Sequence, residues 1–169
     1  MLKSLLEILV LFAISILIIE WIKFFFKRTQ PYILVDFDTL ADANAIYNRS
    51  VMYANNDLQK QADYLIAHMS EQTPIPKGIR KAIEYTHRGY KLIFMSSRHE
   101  CLRLETAKFL NDWQLCGELY MNTGRTKLNF KHGVCCELFK RKVNVVGVVD
   151  SNIDGNLMDL YSKFKIRIM

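Results

Sequence analysis

Short apolar runs, each closed by a residue able to bind an ion, constrain the fold of this chain more than any other feature. Tyr32-Ile-Leu-Val-Asp36 ends on a carboxylate, Lys91-Leu-Ile-Phe-Met95 runs into Ser96-Ser97-Arg98, and the run from Val143 to Val149 runs into Asp150-Ser-Asn-Ile-Asp154. Apolar runs this short, without polar alternation, read as strands buried on both faces. Helical patterns separate them: residues 41–69, residues 77–88 stopped by Gly89, residues 100–113 and residues 129–142. A short strand is expected at 118–121, a helix at 156–162 and a last strand at 164–168. Alternation of this kind predicts an α/β domain, a three-layer Rossmann-like parallel sheet with helices on both faces. Its ligand site should lie beyond the carboxyl ends of the strands.

The 169 residues suffice for one such domain with extras. A composition of 50% hydrophobic and 24% charged residues, with 7 Gly and 3 Pro, excludes collagen-like, low-complexity and wholly disordered chains. Cys101, Cys116, Cys135 and Cys136 show no CxxC spacing and no His at ligand spacing, so they read as ordinary thiols and indicate neither a zinc site nor a disulfide scaffold. The net charge is +6, and the +4 left after residues 1–28 are set aside (19 basic against 15 acidic side chains) suits an anionic partner.

Apolar residues crowd into the start of the chain. Residues 2–22 would form a helix about 31 Å long, the thickness of a bilayer core. Glu7 and Glu20 flank the uninterrupted run from Ile8 to Ile19, no small-residue cleavage site follows, and Trp21, Lys23, Lys27 and Arg28 resemble an interfacial anchor. Residues 1–28 are therefore expected to be a membrane anchor of one transmembrane helix, with the domain of residues 29–169 on the cytoplasmic side by the excess of positive side chains after the segment. A buried or surface-lying helix is the other reading of the same residues.

Four carboxylates, a hydroxyl and lysines brought to one sheet edge make a site for a hard cation and a phosphate. In order, Asp36-Phe-Asp38-Thr39, Ser96-Ser97-Arg98, Lys127 with Lys131, and Asp150 with Asp154 resemble the four motifs of haloacid dehalogenase superfamily phosphatases. Within that superfamily residues 31–169 are most similar to the phosphatase domain of bacteriophage polynucleotide kinases and their small phage relatives. The stretches that carry this are 36–44, 74–100, 104–113, 118–131 and 145–154. The resemblance implies Asp36 as a nucleophile that takes up the phosphoryl group and Asp38 as general acid and base. It implies Mg²⁺ held by Asp36, the Asp38 carbonyl, Asp150 and Asp154. Ser96 and Arg98 would bind phosphate, Lys131 would neutralise nucleophile and phosphate together, and Lys127 is the second choice for that lysine. The implied substrate is a nucleotide or a nucleic-acid end with a 3′-phosphate, met under a small cap at 41–73.

Each element has a plainer reading. Asp150 and Asp154 could be a helix cap and a solvated charge, Lys127 and Lys131 a solvated helix face, and Ser96-Ser97 a turn. His68, His87, His99 and His132 show no ligand spacing, and Trp113, Tyr85, Tyr120 and Tyr161 read as packing. The family pattern D-x-D-G-T also appears here without its glycine, as Asp36-Phe37-Asp38-Thr39, which could re-aim Asp38. A catalytically silent, membrane-tethered binding module and a small-molecule nucleotidase are the alternatives to the polynucleotide phosphatase.

Overall fold

The computed structural model describes residues 2–169, with side chains over 11–24 and 30–169, and divides into two units, residues 1–30 and 31–169. The first contains a single helix, α1 (Leu2–Thr29). Its described apolar side chains, among them Leu11, Phe12, Leu17, Ile18, Trp21 and Phe24, are all exposed. Among the described residues no helix is long and apolar enough to cross a membrane. The expected span over 2–22 rests in part on residues 2–10, whose side chains lie outside those described.

The second unit is built on a five-stranded parallel sheet in the order β5 (Gly117–Asn122), β4 (Lys91–His99), β1 (Tyr32–Asp36), β6 (Val145–Val149) and β7 (Arg167–Ile168). Alternate strand residues feed two cores. Ile33, Val35 and Phe94 pack with Ile79, Ala82 and Leu110 from α4 (Pro76–His87) and α5 (Arg103–Asp112). Leu34, Ile93 and Met95 pack on the other face with Phe130, Leu138, Leu157 and Tyr161 from α6 (Lys127–Lys140) and α7 (Gly155–Lys163). Burial on both faces explains why the strands lack polar alternation. The three-layer α/β expectation is met.

Helices α4 to α7 end in the same way. Gly89, Gln114, Lys142 and Lys165 each take a left-handed φ, between +55° and +84°, and the following amide donates back to the helix. These bonds are Tyr90 to Tyr85, Leu115 to Leu110, Val143 to Leu138 and Ile166 to Tyr161, at 2.8 to 3.0 Å. This closure satisfies carbonyls that a helix end would otherwise leave open. It also shortens two expected strands, since 143–144 and 164–166 are used in turning out of helices and the strands start at Val145 and Arg167.

The cap is an insertion between β1 and α4. Strands β2 (Ala41–Asp42) and β3 (Thr73–Pro74) pair antiparallel as its base and carry two helices, α2 (Asn44–Ala54) and α3 (Leu58–His68). The single helical stretch expected at 41–69 is split by Asn55 and Asn56, both left-handed at φ 45° and 70°. Asp57 then restarts the helix, its Oδ1 accepting the Gln59 and Lys60 amides.

Candidate active site

Asp36 closes β1, and because β1 lies between β4 and β6, its neighbours across the sheet are Met95, just before Ser96, and the strand that delivers Asp150. Lys131 comes from the second turn of α6, fully buried behind the strand ends. Its Nζ donates to Asp150 Oδ2 at 2.6 Å and stands 3.0 Å from Asp36 Oδ1. The contact with Asp36 is an ion pair without hydrogen-bond geometry, so neither carboxylate oxygen of Asp36 accepts a hydrogen bond, although both are buried. A second donor steadies Asp150: the hydroxyl of the fully buried Tyr161 reaches Oδ2 at 3.2 Å, while the Asn152 amide donates to Oδ1 at 3.0 Å.

Charge follows from these contacts. Burial is the largest influence on Asp36 and pushes its carboxyl up to about 7, with Asp150 and Asp38 adding repulsion that Lys131 only partly offsets. Asp150 is also penalised by burial, but Lys131 outweighs that and holds its carboxyl below the usual range. Burial works against the Lys131 ammonium, yet the two carboxylates raise it above the ordinary lysine value. The corner is thus a buried trio, with one cation between two carboxylates and the oxygens of Asp36 without a hydrogen-bond donor.

Asp38 stands at the mouth. A 3₁₀ turn over Phe37–Thr39 carries it, closed by the Thr39 hydroxyl donating to the Asp36 carbonyl at 2.6 Å. No residue of this turn takes a positive φ, so the backbone has no need of a glycine where Thr39 stands. The glycine that is required sits elsewhere: at Gly78 of α4 a Cβ would fall 1.8 Å from the Thr39 carbonyl oxygen. Asp38 is aimed by Ser97, whose Oγ donates to Oδ2 at 3.2 Å, and by Arg98, whose Nε lies 3.7 Å from Oδ1. Ser97 and Arg98 reach it because the β4–β5 pairing breaks register between Ser96 and His99, an irregularity that re-aims side chains.

The expected residues separate into two groups. Asp36, Lys131 and Asp150 form the buried trio, and Ser96 is buried beside it, its Oγ accepting the Arg98 amide at 3.3 Å. Lys127 begins α6 half-buried, close enough for its charge to help hold Asp150 ionised. Arg98, expected at the phosphate, is buried with both Nη groups turned to the cap: Nη1 donates to Gln72 Oε1 at 2.5 Å and Nη2 to the Ala41 carbonyl at 3.3 Å. The guanidinium also lies 4.5 Å from the Phe37 ring centre. Asp154 is exposed and caps α7, its Oδ1 accepting the Leu157 amide at 2.8 Å, which is the plainer of its two readings. Among the described residues no group of three His, Cys, Asp or Glu side chains is arranged to hold a metal, so the four-carboxylate set is not assembled as such. The orphaned oxygens of Asp36 beside Asp150 nonetheless fit a small hard cation, which would supply the ligand field that the protein leaves unfilled. Gln72 and Tyr161 were not legible as site residues, and Ser97 stood in the Ser96-Ser97-Arg98 motif without a role; contacts across the fold reveal all three.

A cleft of about 1010 Å³ opens between cap and sheet edge, with Asp38, Ser97 and Asn152 at its floor and Tyr47, Gln61 and Leu65 on its cap side. No family model and no curated protein matches the chain. Solved structures do. One chain of a Pnkp1/Rnl/Hen1 complex superposes with a TM-score of 0.60 at 20% identity, over 82% of this chain and 45% of that one. A haloacid dehalogenase-like family hydrolase from Streptococcus pneumoniae superposes with 0.59 at 14% identity over 84% of both chains. The fold is that of haloacid dehalogenase-like hydrolases. A class C acid phosphatase from Bacillus anthracis, solved with tungstate bound, shares it with a TM-score of 0.52 at 18% identity over 80% of this chain and 62% of its own. The present chain spans less than half the length of the Pnkp1 complex chains, 45% and 42%. In this haloacid dehalogenase-like frame Asp36 occupies the end of the central strand, under the cap.

Proposed function

We propose that the chain is a Mg²⁺-dependent phosphoric monoester hydrolase acting on nucleotide or polynucleotide 3′-phosphates, tethered to a membrane by residues 2–22 with its domain in the cytoplasm. The carrying observation is Asp36: buried, at the strand end, with both oxygens free of hydrogen bonds and one cation beside it. Such a group is poised to form a new bond at oxygen, which is what attack on phosphorus requires. Oδ of Asp36 bonds to phosphorus as the bond from phosphorus to the leaving oxygen breaks, and the Asp38 proton passes to that oxygen. Asp38, now ionised, takes a proton from water as the water oxygen bonds to phosphorus, and the bond to Asp36 breaks to free phosphate. Ser97 orients Asp38 for both transfers, and Lys131 balances charge at Asp36 throughout. Mg²⁺ held by Asp36 and Asp150 would offset the repulsion between carboxylate and phosphate.

The nucleotide substrate is supported by the motif resemblance and by a structural neighbour described as an RNA repair complex. The tether is supported by the apolar, cleavage-site-free sequence of residues 2–22 and by the exposed apolar side chains of α1. The test is phosphate release from an aryl phosphate and from a 3′-phosphorylated oligonucleotide. Release should need Mg²⁺ and fall by several orders of magnitude in Asp36→Asn. An Asp36→Asn protein of undiminished rate would remove the nucleophile and with it the proposal. The tether is checked separately, by whether the full chain stays with membranes through carbonate extraction.

A further inference from the structure

The cleft has a charge pattern that the phosphatase chemistry does not use. Among its lining residues Arg98 is the one Lys or Arg, and it is buried with its Nη groups spent on Gln72 and Ala41. The carboxylates of Asp38 and Asp42 face the same space. Asp38, the general acid, has Arg98 Nε 3.7 Å from its Oδ1, so beyond the phosphate-binding corner the charge that the cleft presents to a second phosphate is the carboxylate of Asp42. Its cap wall is otherwise apolar or neutral, including Tyr47, Leu58, Gln61 and Leu65. Tyr47 is half-buried, packed against the cap core of Ile46 and Met69, and lines the cleft.

We infer that this cleft takes the neutral nucleoside portion of a singly phosphorylated nucleotide, with Tyr47 as its stacking wall and Asp42 turning away substrates that carry a second phosphate. This rests on the phosphatase reading and narrows its substrate class from nucleic-acid strands to mononucleotides. A strand end would place its next phosphodiester one nucleotide away from the reacting phosphate, within the cleft that the Asp42 carboxylate lines, where like charges repel. A base, in contrast, finds an aromatic face and the amide of Gln61.

Asp42 permits a clean test. Its Oδ1 accepts the Asn44 amide at 2.8 Å at the start of α2, and asparagine keeps that acceptor while removing the charge. The full-length chain with Mg²⁺ is assayed on acetyl phosphate, a nucleoside 3′-monophosphate and a nucleoside 3′,5′-bisphosphate. At low salt kcat/KM should be about tenfold higher for the monophosphate than the bisphosphate, a gap that salt narrows. Asp42→Asn should close the gap by about threefold and leave acetyl phosphate unchanged. Tyr47→Ala should raise KM for the monophosphate about tenfold, with acetyl phosphate again unaffected. A bisphosphate or oligonucleotide used as well as the monophosphate overturns the inference while leaving the phosphatase intact. Equal losses of Tyr47→Ala on all substrates overturn the stacking role. If no substrate is turned over, the phosphatase reading fails, and equilibrium binding to the full-length Asp36→Asn protein decides the cleft alone: tighter monophosphate supports its preference, tighter or equal bisphosphate refutes it.

Discussion

The sheet-edge corner and the cap solve opposite problems. Asp36, Lys131 and Asp150 are fully buried, each placed by a different element, and their charges are coupled within 3.0 Å. The cap helices leave much of their apolar surface open: Met52 is 82% exposed and Leu58 79%, and the exposed Tyr53 ring meets the half-buried Tyr64, which in turn meets His68. Burial makes the corner's charges strong and intolerant of change, since an unpaired charge there has no water to turn to. Exposure leaves the cap free to vary its contacts at little cost. The proposed chemistry thus sits in the buried corner, and the proposed selection of the leaving group lies with the exposed cap.

The largest effect that separates the two regions should come from Lys131→Met. It leaves two carboxylates buried together without a cation, and should cost about 3–5 kcal/mol in denaturant unfolding. Met52→Gln on the cap should stay within about 0.5 kcal/mol. Similar losses at the two sites would mean that the corner is wetter than its geometry implies.

The corner should also show a pH dependence that the cap lacks. Asp36 binds its proton more tightly folded, at about 7, than unfolded, where an ordinary 3.8 applies. Between those values the unfolded chain has released a proton that the folded one keeps, so stability falls as pH rises, by about 2 kcal/mol from pH 5 to 7 without Mg²⁺. Asp150, whose carboxyl is held low, contributes in the other direction only below the ordinary carboxylate range. Asp36→Asn should flatten the slope between pH 5 and 7, read by thermal melts, and a slope that persists would assign it to other groups.

Arg98 joins the regions. Arg98→Met removes the donor to Gln72 Oε1 and to the Ala41 carbonyl, and should cost about 1–2 kcal/mol for buried acceptors left unpaired. The loss should be local: amides of β2 and β3 should exchange faster while those of β1 and β4 keep their protection. Uniform loss of protection would make Arg98 a core residue and not a clamp.

How much of this was legible in the sequence depends on how far each feature reaches. The strands at 32–36 and 117–122 and the helices α4 to α7 follow from local apolar pattern, and the motif residues follow from their place after strands. The helix ends were only partly legible, because Gly89 signals a left-handed residue whereas Gln114, Lys142 and Lys165 adopt the same conformation unannounced. The missing glycine after Asp38 misdirected attention, since the close approach in that turn is met by Gly78, some forty residues on and in another helix. Asp154 matched a motif position yet serves its helix, and Tyr161 looked like packing yet holds Asp150. The approach of Gly78 to Thr39 and the bond from Tyr161 to Asp150 join different elements, which one-dimensional spacing does not encode, whereas Asp154 caps its own helix three residues away.

Tyr161 gives the smallest and most discriminating test. Its ring packs in the core with Leu34 and Leu157, and its hydroxyl supplies one of the two side-chain donors to Asp150 Oδ2. Tyr161→Phe keeps the packing and removes only the donor, so stability should fall by about 1 kcal/mol. A purely structural tyrosine would stop there. If the hydroxyl also orients Asp150 toward a cation shared with Asp36, Mg²⁺ affinity should weaken as well, by about tenfold, because outer partners of a ligand set its direction. Calorimetric Mg²⁺ titration of the two proteins measures this without turnover. Unchanged affinity alongside the stability loss would leave Lys131 as the sole side chain that orients Asp150, and would confine Tyr161 to the core.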